Sequence, residues 1–288
     1  MWILCALVSA VGAAGTSFSL KRAVEHGGAV VSTVAARLVA AALLACVVAA
    51  LGAMPTLPAE YWRAAALVLV PEVLGTLFLT LALRAGDLSV VQPLLGLLPP
   101  LVMAGGVVFL GEVPTPEAAM GALLVTAGVY CVGLAPGARP LDPLRALARD
   151  RAAWFAVACA VSWSAATLVH KRGIAAVGPF PWGVTLALGP ALVLAASLPF
   201  LPRSPAPPGA PWARLVVLAG ASFALQQTGL HLAFGMAQTG YVIAVSATGI
   251  LISSALGIWV LRERAAPRTR FAGALLVSAG AGLVAVFG

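Results

Sequence analysis

Gly121-Ala-Leu-Leu-Val-Thr-Ala-Gly128 returns later in the chain as Gly273-Ala-Leu-Leu-Val-Ser-Ala-Gly280, changed only at Thr126 against Ser278. The copies are not isolated. At a shift of 151, Ala82 falls on Ala233, Gly106 on Gly257, Leu110 on Leu261, Glu112 on Glu263 and Pro116 on Pro267. At a shift of 150, Lys21-Arg22 falls on Lys171-Arg172 and Trp62 on Trp212. Apolar sequences match each other by chance, but charges, Pro and Gly do not readily coincide in register. The chain therefore reads as one unit written twice, residues 1–135 and 152–288, joined by a linker at 136–151.

The unit is built for a bilayer. Of the 288 residues, 61% are hydrophobic and only 9% charged, with a mean hydropathy of +1.04. A soluble domain carries about 25% charge. This composition excludes a soluble enzyme, a disordered chain and a nucleic-acid binder. The net charge of +8 comes from basic residues in short breaks between apolar runs, as the positive-inside rule and anionic lipid require. A transmembrane barrel would show alternating segments of about ten residues, not long apolar runs.

A span needs about 20 apolar residues. The hydropathy breaks predict ten: 2–20, 28–52, 62–83, 88–110, 115–135, 152–170, 180–201, 212–234, 239–261 and 268–287. The first run lacks a basic leader and is too long for a signal peptide, so it reads as a retained span. The stretch Pro136 to Arg151 alternates Arg145, Arg149 and Arg151 with Leu144 and Leu147, suiting a short interfacial helix. Pro-rich 202–211 reads as an extended loop. Five spans per unit is odd, so the second copy enters from the opposite side. The expected fold is all-α, ten transmembrane helices in two inverted five-helix repeats. Such repeats place a substrate site at their interface near the midplane.

A further pattern is formed by Ala85-Gly86 to Pro93, Pro99-Pro100, Phe109-Leu110-Gly111-Glu112, Thr115, Gly121 and Gly128-Val129, with Val260-Leu261-Arg262-Glu263, Gly273 and Gly280 in the second copy. It resembles the EamA family of the drug/metabolite transporter superfamily. Arg262 stands where the first copy has Gly111, so that turn is expected to be built differently. The resemblance implies export or exchange of small metabolites, such as amino acids, amines or small drugs, across a bacterial inner membrane. It also implies both termini inside.

The scarce charges direct the search for a site, because an ionisable group deep in a span marks a pathway or a relay by default. Glu72 lies mid-span beside Pro71, and Arg37 lies inside the preceding span. At 1.5 Å per residue Arg37 sits about 13 Å and Glu72 about 16 Å from the same face, so they can meet. Two readings stand: a structural ion pair, or a cavity-facing group for a cationic or zwitterionic substrate or a coupling proton. Gln226 and Gln227 fall opposite Gly75 and Thr76 in the repeat, about one turn from Glu72, as cavity lining or interhelical hydrogen bonds. Gln92 precedes the kinking Pro93. His231 is a proton carrier or a core hydrogen-bonding residue. Trp163 and Tyr241 are candidates to stack a planar ligand, or to pack as interfacial aromatics. Glu112 and Glu263 read as loop-fixing caps.

No Walker, HExxH or GxSxG pattern is present. The cysteines lie singly in apolar runs, and neither metal nor cofactor is expected. An intramembrane enzyme needs a nucleophile and base, and Ser222 and His231 lie nine residues apart, on nearly opposite helix faces. The expected partners are a small-molecule substrate, lipid and a coupling proton, with no nucleic acid, in a monomer or homodimer. The alternative is a non-transporting membrane scaffold or assembly partner. Loops after odd-numbered spans, with Arg214, hold thirteen Lys and Arg, and those after even-numbered spans, with Arg63, hold three. The charge bias thus puts both termini outside, against the resemblance.

Overall fold

The computed structural model describes residues 1–52, 56–86, 91, 94–133, 150–200, 209–260 and 267–288; side chains are left undescribed at 132, 133, 210, 254, 255, 257–259 and 267–271. Every regular element among the described residues is helical. The first half gives α1 (Trp2–Gly27), α2 (Ala29–Ala50), α3 (Ala59–Ala85), α4 (Leu98–Gly105) with a π turn at Gly106–Leu110, and α5 (Pro116–Gly133). The second gives α6 (Arg151–Val177), α7 (Pro179–Ser197), α8 (Ala210–Phe234), α9 (Thr239–Ser246), α10 (Gly249–Trp259) and α11 (Pro267–Phe287).

Six helices, of 22 to 27 residues, are long and apolar enough to cross a membrane. Four further apolar segments are shorter: Leu98–Leu110, Pro116–Cys131, Thr239–Ser253 and Ala272–Phe287. Ten full spans are therefore more than the described helices supply. The ninth expected span is broken at Ala247-Thr248, where the Thr248 hydroxyl donates to the Val245 carbonyl, 2.8 Å away, and helix restarts at Gly249. The fourth breaks at a turn before Leu98, where Pro99 sits in the first helical turn and the missing N–H is harmless. The two restarts, Leu98 and Gly249, are 151 residues apart.

The first and sixth spans run longer than hydropathy predicts. Lys21-Arg22 and Lys171-Arg172 do not end their helices, which continue to Gly27 and Val177. Lys21 is accommodated by donating from Nζ to the carbonyls of Leu83, 2.8 Å, and Gly86, 3.0 Å, at the end of α3. Each helix stops one residue before a glycine, Gly28 with φ 81 and ψ 154 and Gly178 with φ 85 and ψ 168. That backbone region is essentially restricted to glycine. One residue thus joins α1 to α2 and α6 to α7. Most of the expected interfacial helix at 136–151, most of the loop at 202–211, and Glu263 lie outside the described residues; Arg151 instead opens α6, capped by Asp150.

The main packing partners are α1 with α8, α3 with α6, α2 with α7 and α5 with α11. Each pair draws one helix from each half. The repeated octapeptides pack on one another. A methyl at Gly121 would come within 2.7 Å of the Gly280 carbonyl oxygen, and one at Gly128 within 2.6 Å of that of Gly273. The contacts run antiparallel, early in one octapeptide to late in the other. Small residues let the backbones approach this closely, as membrane helix pairs require.

Candidate functional site

Between the halves lies a cavity of about 170 Å³. It is walled by α1, α2 and α3, the start of α4, α6, α8, and the α9–α10 break. Its charged wall is a polar ladder between α2 and α3. Arg37 Nη1 donates to Glu72 Oε1 at 3.0 Å and to the Leu186 carbonyl of α7 at 2.8 Å. Arg37 Nη2 donates to Thr76 Oγ1 at 2.5 Å. One step further along, the hydroxyls of Thr33 and Thr80 meet at 2.8 Å, and Thr80 donates back to the Thr76 carbonyl at 2.8 Å. The positions Glu72, Thr76 and Thr80 recur every four residues, so they share one face of α3. The Arg37 guanidinium carbon also lies 4.2 Å from the centre of the Phe223 ring on α8, a cation–π contact.

Arg37 and Glu72 are each 5% exposed. The guanidinium is therefore held by three helices besides its own. Among the described residues, only Oε1 of Glu72 is engaged. The other oxygen remains available on a residue that lines the cavity.

Residues 1–134 match the EamA-like transporter family. The matched stretch takes in α1 to α5, including both members of the ion pair. Comparison with curated proteins gives no match. Among solved structures, one described only as the crystal structure of a protein superposes with a TM-score of 0.74 at 18% identity. The alignment spans 99% of this chain and 96% of that one, and the likeness is one of fold.

Of the residues singled out from the sequence, Glu72 and Arg37 of the matched stretch meet, and Gln226, Gln227 and Trp163 from the other half join them around the cavity. Gln226 and Gln227 make no hydrogen bond among the described residues, and both line the cavity. Trp163 lays the edge of its indole on Gly75, where a side chain would collide with it. His231 stands behind the wall: it is 1% exposed, with Nδ1 3.2 Å from the Pro179 carbonyl. Tyr241 is held apart from Trp163. Its hydroxyl accepts from the Thr115 backbone N–H at 3.0 Å, next to the short turn that follows the π turn. Gln92 lies outside the described residues.

Glu112 caps across the halves. It accepts from the Thr239 N–H at 2.8 Å and the Thr239 hydroxyl at 3.1 Å, at the start of α9, and pairs with Lys171 Nζ at 2.5 Å. Sequence reading passed over Thr33, Thr76, Thr80, Phe223 and His170. The four-residue spacing from Glu72 was a usable signal for the threonines. His170 was hidden by Lys171-Arg172, which marked it as a helix end.

Proposed function

We propose that this protein is a secondary transporter of small polar or amphipathic metabolites. Amino acids, amines and small drugs are the substrate classes, moved as an exporter or exchanger in a bacterial inner membrane. The observation that carries the reading is the cavity itself: it lies between the halves and holds a charged pair with one free carboxylate oxygen and two free amides. An engineered protein cavity of about 150 Å³ accepts benzene, which sets the scale of a fitting solute. A cationic or zwitterionic solute suits this wall, its ammonium group on Glu72 and its polar remainder on Gln226 and Gln227.

The reading includes the architecture. We take the units to be 1–135 and 152–288, with 136–151 as linker, forming ten spans in an inverted repeat. The partner-by-partner pairing of helices across the halves, the antiparallel octapeptides and the matching helix restarts support it. Alternating access then follows from rocking one half against the other around the cavity. Without a nucleotide-binding sequence, the energy source is an ion or solute gradient.

The test is thermal unfolding of the purified protein against a panel of amino acids, amines and drugs. A ligand of the folded state raises its apparent stability by mass action, by about 2.7 kcal/mol at a hundredfold excess over Kd. At least one class is expected to stabilise the wild type and to lose that effect in Glu72→Gln. A flat response across all three classes would count against the reading and favour a non-transporting scaffold.

A further inference from the structure

Among the described residues, the buried side-chain polar atoms without a partner are Ser19 Oγ, Trp163 Nε1, Trp182 Nε1, both ring nitrogens of His170, and Nε2 of His231. Roughly 90% or more of buried polar groups in native proteins are paired, so a cluster of orphans needs a cause. Four of these atoms belong to one ring cluster between α6, α7 and α8. His170 and His231 lie edge to face with centroids 5.3 Å apart, Trp182 abuts His170 at 6.3 Å, and Phe234 abuts it at 5.8 Å. The imidazoles are 4% and 1% exposed.

The donors and acceptors can be assigned. A carbonyl only accepts, so the contact with Pro179 places a hydrogen on His231 Nδ1 and leaves Nε2 a lone pair. Neutral His170 has one N–H and one lone pair, both unmatched. Even with the His170 N–H turned onto the His231 lone pair, one His170 lone pair stays unmatched, and that is where an added proton binds. His170 also lines the transport cavity, while its nitrogens are shut away from it. A proton on this pair is therefore exchanged only when the wall moves.

We infer that His170 and His231 together form a proton-binding site that couples solute movement to a proton gradient; this rests on the transporter reading above. The other ionisable groups around the pair are few. Arg37 on α2 and Glu72 on α3 are bound to each other across the cavity, and Lys171 on α6 is bound to Glu112. Tyr61 on α3 abuts Trp182. Cys5 on α1 and Tyr241 on α9 pack in the same apolar cluster as Phe234 and Leu230. Helix α7 contributes no ionisable side chain, and neither does α4. Among the described residues no carboxylate is placed to compensate a charge on the pair, so its proton load is balanced by the solute or released on opening.

The test uses the full chain in proteoliposomes with a mixture of the twenty radiolabelled amino acids. Uptake driven by an imposed pH gradient is compared with counterflow at equal pH, for wild type, His170→Gln, His231→Gln and His26→Gln. His26 is exposed near the end of α1 and serves as the control. The expected result is at least a tenfold loss of the gradient-driven component in His170→Gln and in His231→Gln, with counterflow kept. His26→Gln should match wild type. Gradient stimulation surviving in both buried variants would overturn the inference. Histidine-selective ¹⁵N NMR titration of the same protein in nanodiscs separates this failure from that of the transporter reading. If wild type shows no counterflow, the transporter reading fails for amino acids, and the pair is judged by NMR alone. Coupled titration, in which removing one ring moves the midpoint of the other by a unit or more, supports the site. Independent titration, or none between pH 4 and 8, overturns it.

Discussion

Arg37 receives support from Glu72, Thr76, the Leu186 carbonyl and the face of Phe223, so its charge is fixed by a cage and not by one partner. Glu72 spends a single oxygen on it. This asymmetry yields two expectations at the residue scale. Removing the carboxylate in Glu72→Ala leaves a buried guanidinium without its counter-charge, which typically costs about 3–5 kcal/mol. Thermal unfolding in detergent should show that loss, and Glu72→Gln, which keeps an acceptor for Arg37, should show clearly less. The charge-reversed pair, Arg37→Glu with Glu72→Arg, should not recover stability or transport. A carboxylate at position 37 would face a carbonyl oxygen and the negative face of an aromatic ring, both repulsive. Recovery by the swap would mean that the pair acts only as a tie between α2 and α3. The meeting of these two residues was readable from depth alone, because helical rise converts sequence distance into membrane depth. The cage was not, because Leu186 and Phe223 come from the other half and carry no sign in their own sequence that a cation rests there.

At the scale of elements, glycine marks where helices touch and where they end. Gly28 and Gly178 each close one helix and open the next with a positive φ, so each helix runs five residues past its basic pair, beyond the expected span end. Hydropathy treats Lys21 as a boundary. In the folded chain its long stem carries the ammonium to free carbonyls at the end of α3, so the helix continues through it. The octapeptides behave differently: there the sequence signal and the structural role coincide, since the repeated glycines are the crossing point of α5 and α11. Gly121→Val should separate these helices and lower stability by about 1–3 kcal/mol, the usual cost of overpacking. Chemical or thermal unfolding of the purified variant would measure it. Wild-type stability would mean that the close approach does not hold. The broken helix α9–α10 shows what periodicity cannot give, because Ala247-Thr248 sits within an unbroken apolar run and interrupts it by backbone geometry alone.

For the molecule as a whole, the composition announced membrane-spanning helices before any coordinates. What composition could not supply is how the halves share a cavity, since that depends on which helices cross. Orientation is also a whole-molecule property. Thirteen basic residues against three favour the odd-numbered loops in the cytoplasm and both termini outside. Paired reporter fusions at Gly288 should therefore give an active periplasmic enzyme and a dark cytoplasmic fluorophore; the reverse pattern would show that the charge bias does not set the topology here. The central claim is that the cavity between the halves is a transport site read by Glu72. Its most direct measurement is counterflow of labelled solute in proteoliposomes, using a solute that stabilises the wild type, for wild type and Glu72→Gln at equal protein insertion. The account expects rapid exchange by the wild type and at least a tenfold loss in the variant; equal exchange by the two would contradict it.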